Sequence, residues 1–189
     1  VPEETYERYG VIENIVFPTS LAVDGDMLDI YYGAADTVSA KATVRLSDLL
    51  SALDVTEEPL FVRATGNPIL EPIAENAFES RLVFNPAAVD LNGSVHILYR
   101  AMGADNTSTM GYARSEDGLT IAERIPVPIY GPRADFEMKR AGPTDNSGCE
   151  DPRTSVIEDR VYMTYTAYDS VTPPQGAVTS ISKDDFLAK

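Results

Sequence analysis

Two carboxylates and a guanidinium stand almost side by side in the segment Cys149-Glu150-Asp151-Pro152-Arg153. A nearby like charge disfavours ionisation, so Glu150 is expected to raise the pKa of Asp151 and suit it to proton transfer. An aspartate before proline also punctuates chains without chemistry, as a turn or the start of a strand. Arg153 then either contacts a substrate or pairs with Glu150. Arg100 carries the same two readings: its planar fork suits paired hydroxyls or a carboxylate, and Asp105 offers it a salt-bridge partner.

Other reactive types are sparse. His96, the only histidine, lies in the alternating run Val95 to Arg100 and reads as a strand residue rather than a ligand. Cys149 is the only cysteine, so no intramolecular disulfide forms, and with His96 as the sole candidate base thiol catalysis is not expected. Neither zinc-ligand spacing nor a glycine-rich phosphate loop occurs, so no metal and no cofactor is expected. A net charge of −15 and a pI near 4.3 repel nucleic acid and anionic membrane, leaving a neutral or locally steered small ligand as the partner; acidity is also a common solubility device.

The 189 residues are 43% hydrophobic and 24% charged, which is globular usage with room for one well-buried core. Nothing resembles a signal peptide or a membrane span, and with a lone cysteine a reducing, cytoplasmic setting is expected. Val1 is not an initiator methionine, so a trimmed chain stays open.

The elements that must position these side chains form a repeat. Pro18, Pro86 and Pro152 are 68 and then 66 residues apart, and Tyr31, Tyr99 and Tyr165 each follow 13 residues later. Each copy reads as a hairpin. An apolar strand meets a turn at Asp24-Gly25, Asn92-Gly93 or Glu158-Asp159, and an alternating, β-branched and aromatic strand returns. A third element pairs a short strand with a Ser-Asp turn; at Ser47 it reads equally as one or two helical turns capped by that serine. Asp36, Asp105 and Asp169 close the second strands and place a carboxylate near one end of each unit, around a central pocket. A period near 67 residues with three or four strands per unit predicts an all-β fold of β-propeller blades. Closed propellers have roughly four to eight blades, so about three blades is an incomplete ring.

The segments Val83-Phe-Asn-Pro-Ala-Ala88, His96-Ile-Leu-Tyr-Arg-Ala101, Gly111-Tyr-Ala-Arg-Ser-Glu-Asp-Gly118, Gly148-Cys-Glu-Asp-Pro-Arg153 and Tyr165-Thr-Ala-Tyr-Asp169 resemble glycoside hydrolase family 130. That family holds β-mannoside phosphorylases and some hydrolases on a five-bladed propeller. The resemblance divides the chain into residues 1–56, like the family's last blade, a linker at 57–74, and residues 75–189, like its first and second blades. That order implies a tandem piece, a permuted gene or a trimmed chain, with the third and fourth blades missing.

The resemblance implies that Asp151 is the proton donor, acting through a sugar hydroxyl, and that Asp36 contacts the sugar. Asn85 is expected to hydrogen-bond sugar hydroxyls, or simply to precede Pro86. Arg100, Asp105, Glu150, Arg153 and Asp169 join the substrate-binding candidates. Asn106 and Tyr168 are weaker candidates, equally readable as ordinary loop and strand residues. The implied reaction is inverting cleavage of a β-mannoside or manno-oligosaccharide by inorganic phosphate, giving mannose 1-phosphate. The resemblance also allows hydrolysis, or a catalytically silent sugar-binding or assembly segment. Cations for phosphate are expected from the missing blades, and Gln175 stands where an arginine is expected. Open blade edges favour association with a second copy or with the missing blades.

Overall fold

The computed structural model describes residues 1–52 and 61–189. It shows three antiparallel meanders. The first is a sheet of order β1-β2-β3-β4, formed by β1 (Val16–Asp24), β2 (Met27–Ala34), β3 (Val38–Arg45) and β4 (Val62–Arg63). The second contains β5 (Leu82–Leu91), β6 (Ser94–Met102), β7 (Thr107–Ser115) and β8 (Ile121–Arg124). The third contains β9 (Ser147–Ile157), β10 (Arg160–Tyr168) and β11 (Gln175–Ser182). A short parallel pairing, Thr107 to Ser147 and Ser108 to Gly148, joins β7 to β9, so the second and third meanders run as one sheet. The first strand of the middle meander, β5, packs beside both β1 and β9. Blades ranged side by side about their first strands are the propeller arrangement.

The middle blade shows how the strand period builds the core. Side chains alternate along β6, so Ile97, Tyr99 and Ala101 join Tyr31, Leu70 and Val83 on one face. Leu98 points the other way, to Met110, Tyr112, Val161 and Met163. Both faces of β6 are therefore buried, and each fully buried Leu or Ile contributes about 1.5–3 kcal/mol. Among the described residues, no helix is long and apolar enough to cross a membrane.

Three expectations need correction. Residues 57–60 of the expected linker lie outside the described residues, and within the rest of it Val62–Arg63 forms β4, which pairs with Ala42 and Thr43 and completes the first sheet. Ser47 does not cap the helix Leu46–Ala52: its N–H and hydroxyl both donate to Asp26, from the β1–β2 turn, at 2.9 and 2.7 Å. The third correction concerns the repeat itself. Phe84 pairs with Arg100 and Ala87 with Leu98, leaving Asn85 and Pro86 together opposite Tyr99. Glu150 pairs with Thr166 and Arg153 with Thr164, leaving Asp151 and Pro152 opposite Tyr165. In the first blade Phe17 pairs with Gly33 and Ser20 with Tyr31, so Tyr32, not Tyr31, matches Tyr99 and Tyr165. Pro18 thus stands where Asn85 and Asp151 stand, and Thr19 where the other prolines stand.

Candidate active site

The bulge explains what the Asn-Pro and Asp-Pro dipeptides do. Two residues opposite one force the extra residue out of the extended conformation. Asn85 and Asp151 take φ values of 48° and 52°, in the left-handed region that asparagine and aspartate tolerate better than other side-chain-bearing residues. The bulges bring the two side chains together, and Asp151 also meets a guanidinium.

That guanidinium is Arg100, whose side chain is 11% exposed. Its Nη2 donates to Glu150 Oε1 at 2.6 Å, its Nη1 to Asp151 Oδ1 at 3.1 Å, and its Nε to Ser108 Oγ at 2.9 Å. Phe84 lies under it, with the ring centroid 4.7 Å away. The expected pairings of Arg100 with Asp105 and of Arg153 with Glu150 are both replaced by this fork. Arg153 instead donates to the carbonyl of its neighbour Pro152 at 2.8 Å.

Asn85 Nδ2 donates to Asp151 Oδ1 at 2.8 Å, so that oxygen serves two donors. Asp151 Oδ2 has no hydrogen bond among the described residues. Asn85 Oδ1 is buried without a hydrogen-bond partner among the described residues, and a Cβ on Gly33 would come within 2.7 Å of it. Gly33 therefore makes room for the amide at the position that Arg100 and Thr166 hold in the other blades.

A cavity of about 630 Å³ opens beside the fork, lined among others by Asp36, Arg81, Arg100, Asn106, Glu150 and Tyr168. Burial pushes the Glu150 carboxyl above its ordinary value; Arg100 opposes this and Asp151 adds to it. The Asp36 carboxyl is raised in the same way, first by burial, with Arg100 opposing and Asp151 adding. Asp151 itself borders a second hollow of about 530 Å³, shared with Phe17, Arg153 and Thr166.

Asp105 and Asp169 are not brought into the first cavity's lining. Asp105 is exposed and its Oδ1 accepts the N–H of Thr107 at 3.2 Å, a local turn. It lies four residues beyond Ala101, whereas Asp36 and Asp169 lie two beyond Ala34 and Ala167, the residues matching Ala101. Asp169 is buried at its blade's end and accepts the N–H groups of Val171 and Thr172 and an N–H of Arg140. Those donors hold its carboxyl well below the usual range, the two backbone N–H groups foremost. Asn106 lines the cavity but is held, accepting from Arg81 Nη1 at 2.6 Å and donating to the Thr144 carbonyl at 2.6 Å.

Not visible in the sequence was a set of buried glutamates in the segments that precede the blades. Glu7 accepts from Tyr32 OH at 2.8 Å and Glu79 from Tyr99 OH at 2.8 Å, while Glu137 accepts from Tyr165 OH. Arg63 also pairs with Glu7, and Arg124 with Glu79 at 2.6 Å. Each glutamate ties the segment before a blade to the tyrosine facing that blade's bulge. The intervals from glutamate to tyrosine are 25, 20 and 28 residues, so a search for fixed offsets passes over them.

Chemically, the guanidinium groups of Arg100 and Arg81 and the carboxyl groups of Glu150 and Asp36 line one cavity, with Asp151 on the Arg100 fork, so the site is rich in both donors and acceptors. Such a site suits a polyhydroxyl compound, whose O–H groups donate to the carboxylates and whose oxygens accept from the guanidinium groups.

The fold is that of a run of β-propeller blades. The likeness to an α-L-arabinofuranosidase of Clostridium thermocellum, with a TM-score of 0.59 at 13% identity over 88% of this chain and 47% of that one, is a likeness of fold alone. The family follows from sequence: the profile of glycoside hydrolase family 130, described as β-1,4-mannooligosaccharide phosphorylase, matches residues 1–58 and 56–184, and the chain belongs to that family. It is similar to a 1,2-β-oligomannan phosphorylase of Thermoanaerobacter sp. (strain X514), at 34% identity over 113 residues, 56% of this chain and 35% of that protein. A β-1,2-mannobiose phosphorylase of the same strain is 34% identical over 119 residues, 56% of this chain and 36% of that protein. A glycosyl hydrolase structure from Bacteroides ovatus superposes with a TM-score of 0.53 at 33% identity, covering 62% of this chain and 36% of that one. The chain spans about a third of the length of the curated relatives it matches.

Proposed function

We propose that this chain supplies the sugar-holding part of an inverting β-mannoside phosphorylase, completed by further blades, that transfers mannose from a β-mannoside to inorganic phosphate. Residues 1–56 act as a last blade and residues 75–189 as first and second blades. The observation that carries the reading is the convergence of Asp151, Asn85, Arg100 and Glu150 beside a cavity that Asp36 also reaches. A phosphate oxygen attacks the anomeric carbon on the face opposite the departing oxygen as the glycosidic bond breaks. Asp151 Oδ2 gives up its proton, through a sugar hydroxyl, to that departing oxygen. The products are mannose 1-phosphate and the shortened acceptor, and phosphate replaces both the water and the general base of a hydrolase.

One observation favours a second reading, hydrolysis. Arg100 is committed to Glu150, Asp151 and Ser108, so it is not free to hold a dianion. Glu150 and Asp36, both raised, then supply the choice of base for water. Rate against phosphate concentration in the intact gene product separates the two. Mannose 1-phosphate formed from β-mannobiose in proportion to phosphate is expected, and free mannose formed without phosphate overturns phosphorolysis. Asp151→Asn is expected to lower kcat about 1000-fold, since the proton donor is removed. Turnover that survives that change removes Asp151 from the role.

A further inference from the structure

Glu137 lies outside the cavity lining, yet it is 1% exposed and held by several hydrogen bonds. We propose that Glu137, acting through Tyr165, is a positioning residue that holds the Asp151 bulge in register; the inference rests on the reading of Asp151 as the proton donor.

The argument starts from the bulge. Asp151 sits at φ 52° ahead of a proline, a conformation that persists only where the surroundings enforce it. In a bulge the enforcing element is the single residue opposite, and for Asp151 and Pro152 that residue is Tyr165. Tyr165 is anchored at its far end. Its hydroxyl donates to Glu137 Oε1 and lies 3.0 Å from the hydroxyl of Tyr130, whose ring stands edge-on at 5.4 Å. Glu137 Oε2 is fixed in turn by the N–H groups of Arg133 and Ala134, at 2.8 and 3.0 Å. Glu137 also acts on β9 directly: Cys149, two residues before Asp151, has its thiol pushed up to about 12, by burial first and then by the charge of Glu137.

The other two blades provide the internal control. Glu7 and Glu79 make the same bond to a tyrosine facing a bulge, but each also has an arginine partner. Among the described residues Glu137 has no ion pair, so in the blade that carries Asp151 the link from loop to bulge depends on the Tyr165 hydroxyl. The first blade presents Pro18 at the matching position, which carries no chemistry. Loosening Glu7 therefore costs stability alone, whereas loosening Glu137 also moves the acid.

The test compares Glu137→Gln, Tyr165→Phe and Glu7→Gln in the intact gene product. Misplacement by about an ångström lowers rate up to about 100-fold, so Glu137→Gln and Tyr165→Phe are expected to lose 10- to 100-fold in kcat with the KM for mannoside within about twofold. Glu7→Gln is expected to lose comparable thermal stability and to keep kcat. Crystal structures of Tyr165→Phe and Glu7→Gln give a readout independent of turnover: only in Tyr165→Phe should the Arg100 Nη1 to Asp151 Oδ1 bond break. Tyr165→Phe retains the ring and serves where Glu137→Gln does not fold. An unmoved Asp151 in Tyr165→Phe, or kcat losses equal to that of Glu7→Gln, overturns the proposal. Absence of mannoside turnover by the unmodified protein removes the reading of Asp151 as acid, while the crystal structures still decide whether the bulge is held from Glu137.

Discussion

Glu137 and Glu150 are 13 residues apart, both largely withdrawn from water, and their surroundings move them in opposite directions. Burial alone pushes Glu137 up, but the Tyr165 hydroxyl and two backbone N–H groups outweigh it and leave its carboxyl below the ordinary value. Glu150 is pushed up by burial, and the single guanidinium it shares with Asp151 does not restore it. A buried carboxylate surrounded by donors becomes a fastening, whereas one left short of donors remains reactive. Glu137 and the likewise lowered Glu7 belong to the first kind; Glu150 and Asp36 belong to the second.

The comparison can be broken by removing a donor from a fastening. Arg124→Met strips the ion pair from Glu79, which is fully buried, and is expected to destabilise the protein by about 3 kcal/mol in urea unfolding. A loss within 0.5 kcal/mol, on the order of ordinary surface changes, would show that the arginine is incidental. Gly33→Ala acts on the other kind of site, driving a methyl group to 2.7 Å from Asn85 Oδ1. The expected cost is about 1–3 kcal/mol, with mannoside affinity reduced as Asn85 turns away from Asp151. Unchanged stability and binding would mean that the amide has room to move.

Acid sharpens the comparison because the two groups titrate with opposite sign. Glu7 and Glu137, lowered in the fold, contribute stability that is complete above the ordinary glutamate value of 4.5 and is lost as pH falls through their depressed folded values. Glu150 and Asp36, raised in the fold, favour the folded state when protonated, and that contribution is lost as pH rises through their elevated values. Mild acidification is therefore expected to stabilise the wild type more than Glu150→Gln, in unfolding free energies measured across a pH series. Parallel curves for the two proteins would count against a raised Glu150. The smallest effect is expected from Asp105→Ala, within about 0.5 kcal/mol in the same unfolding measurement, because its carboxylate serves one exposed turn.

The meanders were legible because Asn92-Gly93 and its counterparts fix the hairpins, and part of the site was legible because Glu150 and Asp151 are adjacent. What lay hidden was hidden for particular reasons. Pro18 and Tyr31 are each one residue ahead of their structural counterparts, so the 13-residue spacing survives although both anchors are misplaced. The dipeptide Val16-Phe17, matching Val83-Phe84, holds the true register. The fork between Arg100 and Glu150 joins residues 50 apart through a bulge, and neither alternation nor charge spacing announces it. Asp105 looked equivalent to Asp36 because it is the next aspartate after the strand, but two extra residues carry it past the cavity.

The prolines that follow Asn85 and Asp151 also bear on how the protein ages. Asparagine and aspartate in turns degrade when the next backbone nitrogen attacks the side-chain carbonyl and closes a cyclic imide. The nitrogens of Pro86 and Pro152 carry no hydrogen and cannot complete that ring. The amide at position 85 and the unrearranged backbone at position 151 are therefore shielded from that slow decay over the lifetime of the molecule.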